Sequence, residues 1–142
     1  MANVTFNSFK SDINGNIDWD DNTTTTIKVM LVTSTYTPDI DLHEFISDVT
    51  NEVVGTGYTA GGKAIVNRTK TIDDTLDIVK YDADDVAWLS STITARGAVV
   101  YKDTGTPATS PLIGYLDFGA DKSTSNVTFT IQWSAEGVFK VT

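Results

Sequence analysis

Apolar residues in this chain recur mostly with a period of two, in short runs broken by turn residues. IKVMLVT over residues 27–33 predicts a strand. So do residues 63–71 and 76–81, which the Asp73-Asp74 turn separates. Val86 and Trp88 predict a short strand or bulge. The stretch 92–118 predicts the centre of the fold, with strands at about 94–102 and 112–118 around a loop holding Pro107 and Pro111. Both strands are nearly continuous in apolar character, as expected of strands covered on both faces. Val127, Phe129, Ile131 and Trp133 alternate with Thr128, Thr130, Gln132 and Ser134, predicting a half-buried strand. The Ala135-Glu136-Gly137 turn predicts a hairpin closed by a strand at 138–141.

One segment carries the other period. Leu42, Phe45, Ile46 and Val49 share a face at helical spacing, and Asp41 with Glu44 has capping-box spacing, so 41–49 is expected to be the one short helix. Gly55, Gly57, Gly61 and Gly62 mark a bend or corner. Seven or eight short strands with one helix predict an all-β fold: an antiparallel β-sandwich, jelly-roll-like or a small barrel. Residues 23–142 are expected to form this body. Residues 1–22 are expected to form an N-terminal arm, either an edge strand or frayed end, or a device docking on a neighbouring subunit. In the docking case the interface anchors are Phe6, Phe9 and Trp19. Tyr58, in the glycine-rich corner, is the fourth expected contact, suited to interface anchoring or to stacking on a sugar.

Composition narrows the chemistry. The 142 residues fit one domain and contain no cysteine, which removes disulfides and thiolate metal sites. Ten basic and nineteen acidic residues give a net charge of −9, which disfavours nucleic-acid and anionic-membrane partners. No apolar run reaches the roughly 18 residues of a membrane span, and the first residues lack the apolar stretch of a secretory signal, so synthesis in the cytoplasm is expected.

No catalytic motif stands out, and neither an enzyme activity nor a cofactor is expected. His43 is the only histidine and belongs to no HExxH motif; it is expected on the exposed side of the short helix. Asp12, Asn14, Asn16 and Asp18 begin like a calcium loop, but the glycine falls at the wrong position and Thr23 stands where a bidentate glutamate belongs. An Asx-rich turn is the simpler expectation. Asp82, Asp84 and Asp85 form a second acidic group, expected to be a turn and not a glycosidase pair.

The segments STYTPDIDLHEFISDVTNEVVGTGYTAGG, DADDVAWLSSTITARGAVVYKDTGT and SPLIGYLDFGADKS resemble a family of small structural proteins encoded by tailed bacteriophages, over residues 27–133 or so. Within that setting a small acidic β domain is similar to capsid cement or decoration proteins. The resemblance implies a virion protein on the capsid surface that binds the major capsid protein, as a homotrimer or other homo-oligomer. A neck, tail or baseplate component, or a host-glycan-binding module of a tail fibre, is the alternative. The family supplies no catalytic residues to carry over.

Overall fold

Strands 94–102 and 112–118 do lie at the centre, and their neighbours explain their composition. The computed structural model describes residues 2–12 and 17–141. In chain order the elements are β1 (Ala2–Thr5), α1 (Asn7–Asp12), β2 (Ile27–Val32), β3 (Lys63–Ala64), β4 (Thr69–Asp73), β5 (Ile78–Asp82), β6 (Val86–Ser91), β7 (Thr94–Lys102), β8 (Leu112–Ser123), β9 (Val127–Ile131) and β10 (Phe139–Val141). Single turns of 3-10 helix occur at Ile46–Asp48 and Pro107–Thr109. Every strand pairing is antiparallel. A five-stranded sheet runs β1-β8-β7-β2-β3; a three-stranded sheet runs β10-β5-β4; β6 and β9 form a pair. The fold is an all-β sandwich, as the periodicity predicts, with one short α-helix among the described residues.

The middle of the five-stranded sheet, β2, β7 and the first half of β8, is buried on both faces. On one, Ile27, Val29, Leu31, Ala98, Val100, Ile113 and Leu116 pack against Tyr81, Trp88, Phe129, Ile131 and Phe139 of the other sheets. On the other, Met30, Val32, Val99, Tyr101, Leu112 and Tyr115 pack under Tyr36, Ile46 and Val49, from the long connection between β2 and β3. A β-bulge shifts the phase. Val100 faces Gly114 and Tyr101 faces Leu112, so Ile113 is an extra residue, and both Leu112 and Ile113 are fully buried on opposite faces. Gly97 allows the closest approach within the sheet, since a Cβ there would lie 2.6 Å from the Leu116 carbonyl oxygen.

The described residues among the first 22 are not a separate arm. β1 adds a fifth strand beside β8, and the segment then wraps the sheet edge. Phe6 enters the core on one face and Phe9 the core on the other. Phe9 and Trp19 both meet Phe139 edge-on, at 5.2 and 5.3 Å, and Phe139 stacks on Tyr81 at 4.5 Å. The Trp19 indole N–H donates to the Asp82 carbonyl at 3.1 Å. Phe6, Phe9 and Trp19 are 0%, 2% and 2% exposed. Rings so placed have no surface left for a neighbouring subunit; the large apolar area that marks them as interface anchors is spent on the chain's own core.

A buried arginine holds the return of this segment. The Arg68 guanidinium donates to the carbonyls of Trp19 (2.7 Å), Ile65 (2.6 Å), Asp21 (2.5 Å) and Thr25 (2.6 Å). The Asn22 side chain exchanges two bonds with the Arg68 backbone, at 2.9 and 3.0 Å, as a neighbouring strand would. Burial presses the Arg68 pKa down, while Asp21 and Asp18 oppose that shift.

Two predicted elements differ. Residues 41–49 form turns and not a helix. The Asp39 carboxylate accepts the Asp41 and Leu42 N–H groups, and the Asp48 carboxylate accepts those of Glu44 and Phe45. Backbone bonds from Ile46 N–H to Ser110 and from Leu112 N–H to Glu44 then tie the segment to the start of β8. Leu42, counted on the apolar face, is 75% exposed. Among the described residues the single α-helix is α1 instead. The C-terminal hairpin is also absent: β9 pairs with β6, and β10 with β5. The predicted strand at 63–71 is divided into β3 and β4, because the Ile65 and Arg68 carbonyls are taken by other partners.

If the first segment is core, truncating it is costly. Phe9→Ala and Trp19→Ala should each lower unfolding free energy by about 3–5 kcal/mol, measured by urea denaturation. A change near zero would mean that the rings occupy a dispensable surface. Arg68→Met, which leaves four carbonyls without their donors, should cost about 3 kcal/mol or more by the same measurement.

Candidate functional site

The period of two that points Ile27, Val29 and Leu31 into the main core points Lys28 and Met30 the other way. There they floor a cavity of about 470 Å³, with Tyr101 and Asp103 at the end of β7. Ile46, Ser47 and Val49 form one wall. Glu52 and the Ala60-Gly61 corner form another, and Gly105, Pro107 and Ser110 close the third.

The polar groups of this cavity are tied together. Lys28 Nζ lies 2.7 Å from Asp103 Oδ2. That bond, then the Gly105 N–H at 2.8 Å, holds the Asp103 carboxyl below its ordinary range. Glu52 Oε2 accepts the Tyr58 hydroxyl at 2.7 Å and the Gly61 N–H at 2.7 Å. The Tyr58 oxygen also accepts the Leu31 N–H, at 3.0 Å. Tyr101 donates its hydroxyl to the Gly61 carbonyl at 2.6 Å. Tyr58 therefore closes a gap along the edge of β2. β3 covers Lys28 and Val29, and the Glu52 segment covers Val32. The Leu31 N–H between them would otherwise lack a partner. Burial raises the pKa of Tyr58 and Tyr101, and the Glu52 carboxylate adds to both shifts.

The corner depends on one glycine above the others. Gly62 has φ of +80°, and a Cβ there would overlap the Val29 carbonyl oxygen. This close approach brings the Gly61 N–H to Glu52.

A second concavity, about 400 Å³, runs between the end of β8 and β9. Phe118, Phe129 and Ile131 line its apolar part, and Lys122, Ser123, Thr124, Thr128, Thr130 and Gln132 its polar part. β9 has a strand neighbour on one side only.

Of the four expected contact residues, only Tyr58 belongs to a site. It does so through its hydroxyl, with its ring 5.8 Å from Trp88, and not as an exposed platform. The corner glycines are the signal that points there. Glu52 carries no sequence signal, since it reads as one more acidic residue in an acidic chain. His43 is stacked on Tyr36, and its Nδ1 receives the Tyr36 hydroxyl at 3.0 Å and the Asp39 N–H at 3.2 Å. It belongs to a turn and not to a helix face. The Asp82–Asp85 group is structural: Asp82 and Asp84 offer carbonyls to the Trp19 and Trp133 indoles, and the Asp85 carboxylate accepts the Trp133 N–H. Asn14 and Asn16 of the calcium-like segment lie outside the described residues. Among the described residues no group of three or more acidic or histidine side chains is placed to hold a metal ion.

No protein-family model matches the chain, and neither a curated protein nor a solved structure matches it significantly. The side chains here hold and orient; the Tyr58 and Tyr101 hydroxyls are already donating, to Glu52 and to Gly61.

All five tyrosines are held above their ordinary pKa of 10.0, each mainly by burial. A raised phenol pKa stabilises the fold below the unfolded value, and that contribution is lost as pH rises through the folded value. In an alkaline titration, tyrosinate absorbance should therefore lag well behind that of free tyrosine and rise together with loss of near-UV circular dichroism. Ionisation of several tyrosines near pH 10 with the fold intact would contradict this burial. Tyr58→Phe should cost about 1–3 kcal/mol in urea denaturation, because the Leu31 N–H loses its acceptor.

Proposed function

We propose that this chain is a structural protein of a bacteriophage particle, a cement or decoration protein that binds the outer shell through the major capsid protein. The setting rests on the resemblance drawn from the sequence of residues 27–133 alone. The observation that supports adhesion best is the groove beside β9, where an apolar floor of Phe118, Phe129 and Ile131 lies next to a strand with a neighbour on one side only. A bare strand edge over alternating apolar residues is suited to an extended segment of a shell subunit, with main-chain bonds supplying affinity and alternate side chains entering the floor. Many copies, each burying a modest patch, stabilise a shell by mass action, since they bind the assembled form and not its parts. The charge of −9 keeps such an abundant protein soluble and away from packaged nucleic acid.

Cryo-electron microscopy of purified particles tests this directly: the chain should appear in hundreds of copies on the head. A ring of six or twelve at the tail would point to the neck or baseplate role, and absence from the particle would end the proposal. Thr130→Arg places bulk and charge in the groove from an exposed position. It should weaken binding to undecorated shells by about tenfold or more, equivalent to roughly 1.4 kcal/mol, with an unchanged melting temperature. Wild-type binding by this variant would remove the groove from the interface.

A further inference from the structure

The Lys28–Glu52–Tyr101 cavity has a charge arrangement that its internal bonds leave incomplete. Lys28 and Asp103 pair with each other and cancel. Glu52 has both of its hydrogen bonds on Oε2; among the described residues Oε1 has no partner. The cavity therefore holds one unbalanced negative charge, on a carboxylate that lines it. We propose that this cavity is a recognition site for one organic cation on an alkyl stem, the side chain of an arginine or lysine carried by a partner protein.

The lining fits both ends of such a group. Met30, Ile46, Val49 and the Tyr101 ring offer an apolar wall to the methylenes, and Glu52 offers its free oxygen to the guanidinium or ammonium. The volume, about 470 Å³, lies in the range of ligand pockets and accommodates a long side chain with its flanking backbone. A divalent metal ion is a poorer occupant, because one free carboxylate oxygen falls far short of the six to eight oxygen ligands, or the octahedron, that such ions take. The acceptor is also fixed in advance. Tyr58 and the Gly61 N–H hold Oε2, Leu31 N–H holds Tyr58, and Tyr101 holds the Gly61 carbonyl. Little side-chain freedom is left for Glu52 to lose on binding. The net charge of −9 favours the approach of a cation.

This assignment goes beyond the particle reading, since it concerns the cavity's chemistry and not the partner's identity. The test is an NMR titration of the full-length 15N-labelled protein with Nα-acetyl-arginine amide, and in parallel with the neutral isostere Nα-acetyl-citrulline amide. The arginine probe should shift the Ser47, Glu52 and Gly61 amides saturably, and bind about tenfold or more tighter than the citrulline probe. Glu52→Gln keeps an acceptor for Tyr58 and Gly61 while removing the charge, and should abolish that difference. Equal responses to the two probes, no response at the cavity, or full arginine binding by Glu52→Gln would overturn the proposal. Should the variant fail to fold, the charge comparison on the wild-type protein still decides. Copy number on particles reads the particle proposal separately, so the two stand or fall apart.

Discussion

Strand β7 and the first half of β8 are buried on both faces, and most of the remaining architecture follows from what that demands. A sheet with two apolar faces needs two covers, and a chain of this length has one further set of strands to offer. The three-stranded and two-stranded sheets cover one face. The other is left to the long connection after β2, which carries Tyr36, Ile46 and Val49 across it with a single 3-10 turn. Such a cover must satisfy its own backbone. It does so with Asp39 and Asp48 closing turns and with bonds to residues 110–112, so the loop is ordered by polar contacts and by its few buried side chains together.

The same demand explains the first residues. The outer edge of β8 would expose unpaired backbone and the flanks of both cores. β1 pairs with that edge, and Phe6 and Phe9, three residues apart, close the two faces from the side. Arg68 then fixes the return path by binding four carbonyls at once, which a planar guanidinium can do and a lysine ammonium, with three donors, cannot. Bonds to carbonyls place the positive charge against oriented dipoles without burying a carboxylate beside it.

Much of this was legible in the chain, and what was not has physical causes. β7 has the predicted limits because Thr, Ala, Val and Tyr between turn residues leave few other options for a doubly covered strand. The alternation over 127–133 reads correctly for Phe129, Ile131 and Trp133, which are buried, but Val127 is exposed and the strand ends at Ile131. The apolar period at 42–49 misleads because helix and loop both bury Ile46 and Val49; the choice is made by backbone partners at 110–112, sixty or so residues away. Pairing of β9 with β6 instead of β10 is likewise non-local. Aromatic residues near the N-terminus look the same in sequence whether they dock on a neighbour or on their own body. At the cavity, the glycine corner and Tyr58 were visible, but Glu52 acquires its position only when Gly62 lies against β2.

Rigidity is what joins the fold to its use. A carboxylate held by a tyrosine that itself holds a strand N–H cannot relax without breaking an edge of the central sheet. Such coupling is a poor basis for acid–base chemistry, where a group must give up and regain a proton while its partners adjust. It is a good basis for holding a surface in one shape, because the stability of the sheet then resists any movement of the contact. The central sheet supplies that property to the cavity through the Leu31–Tyr58–Glu52 chain of bonds.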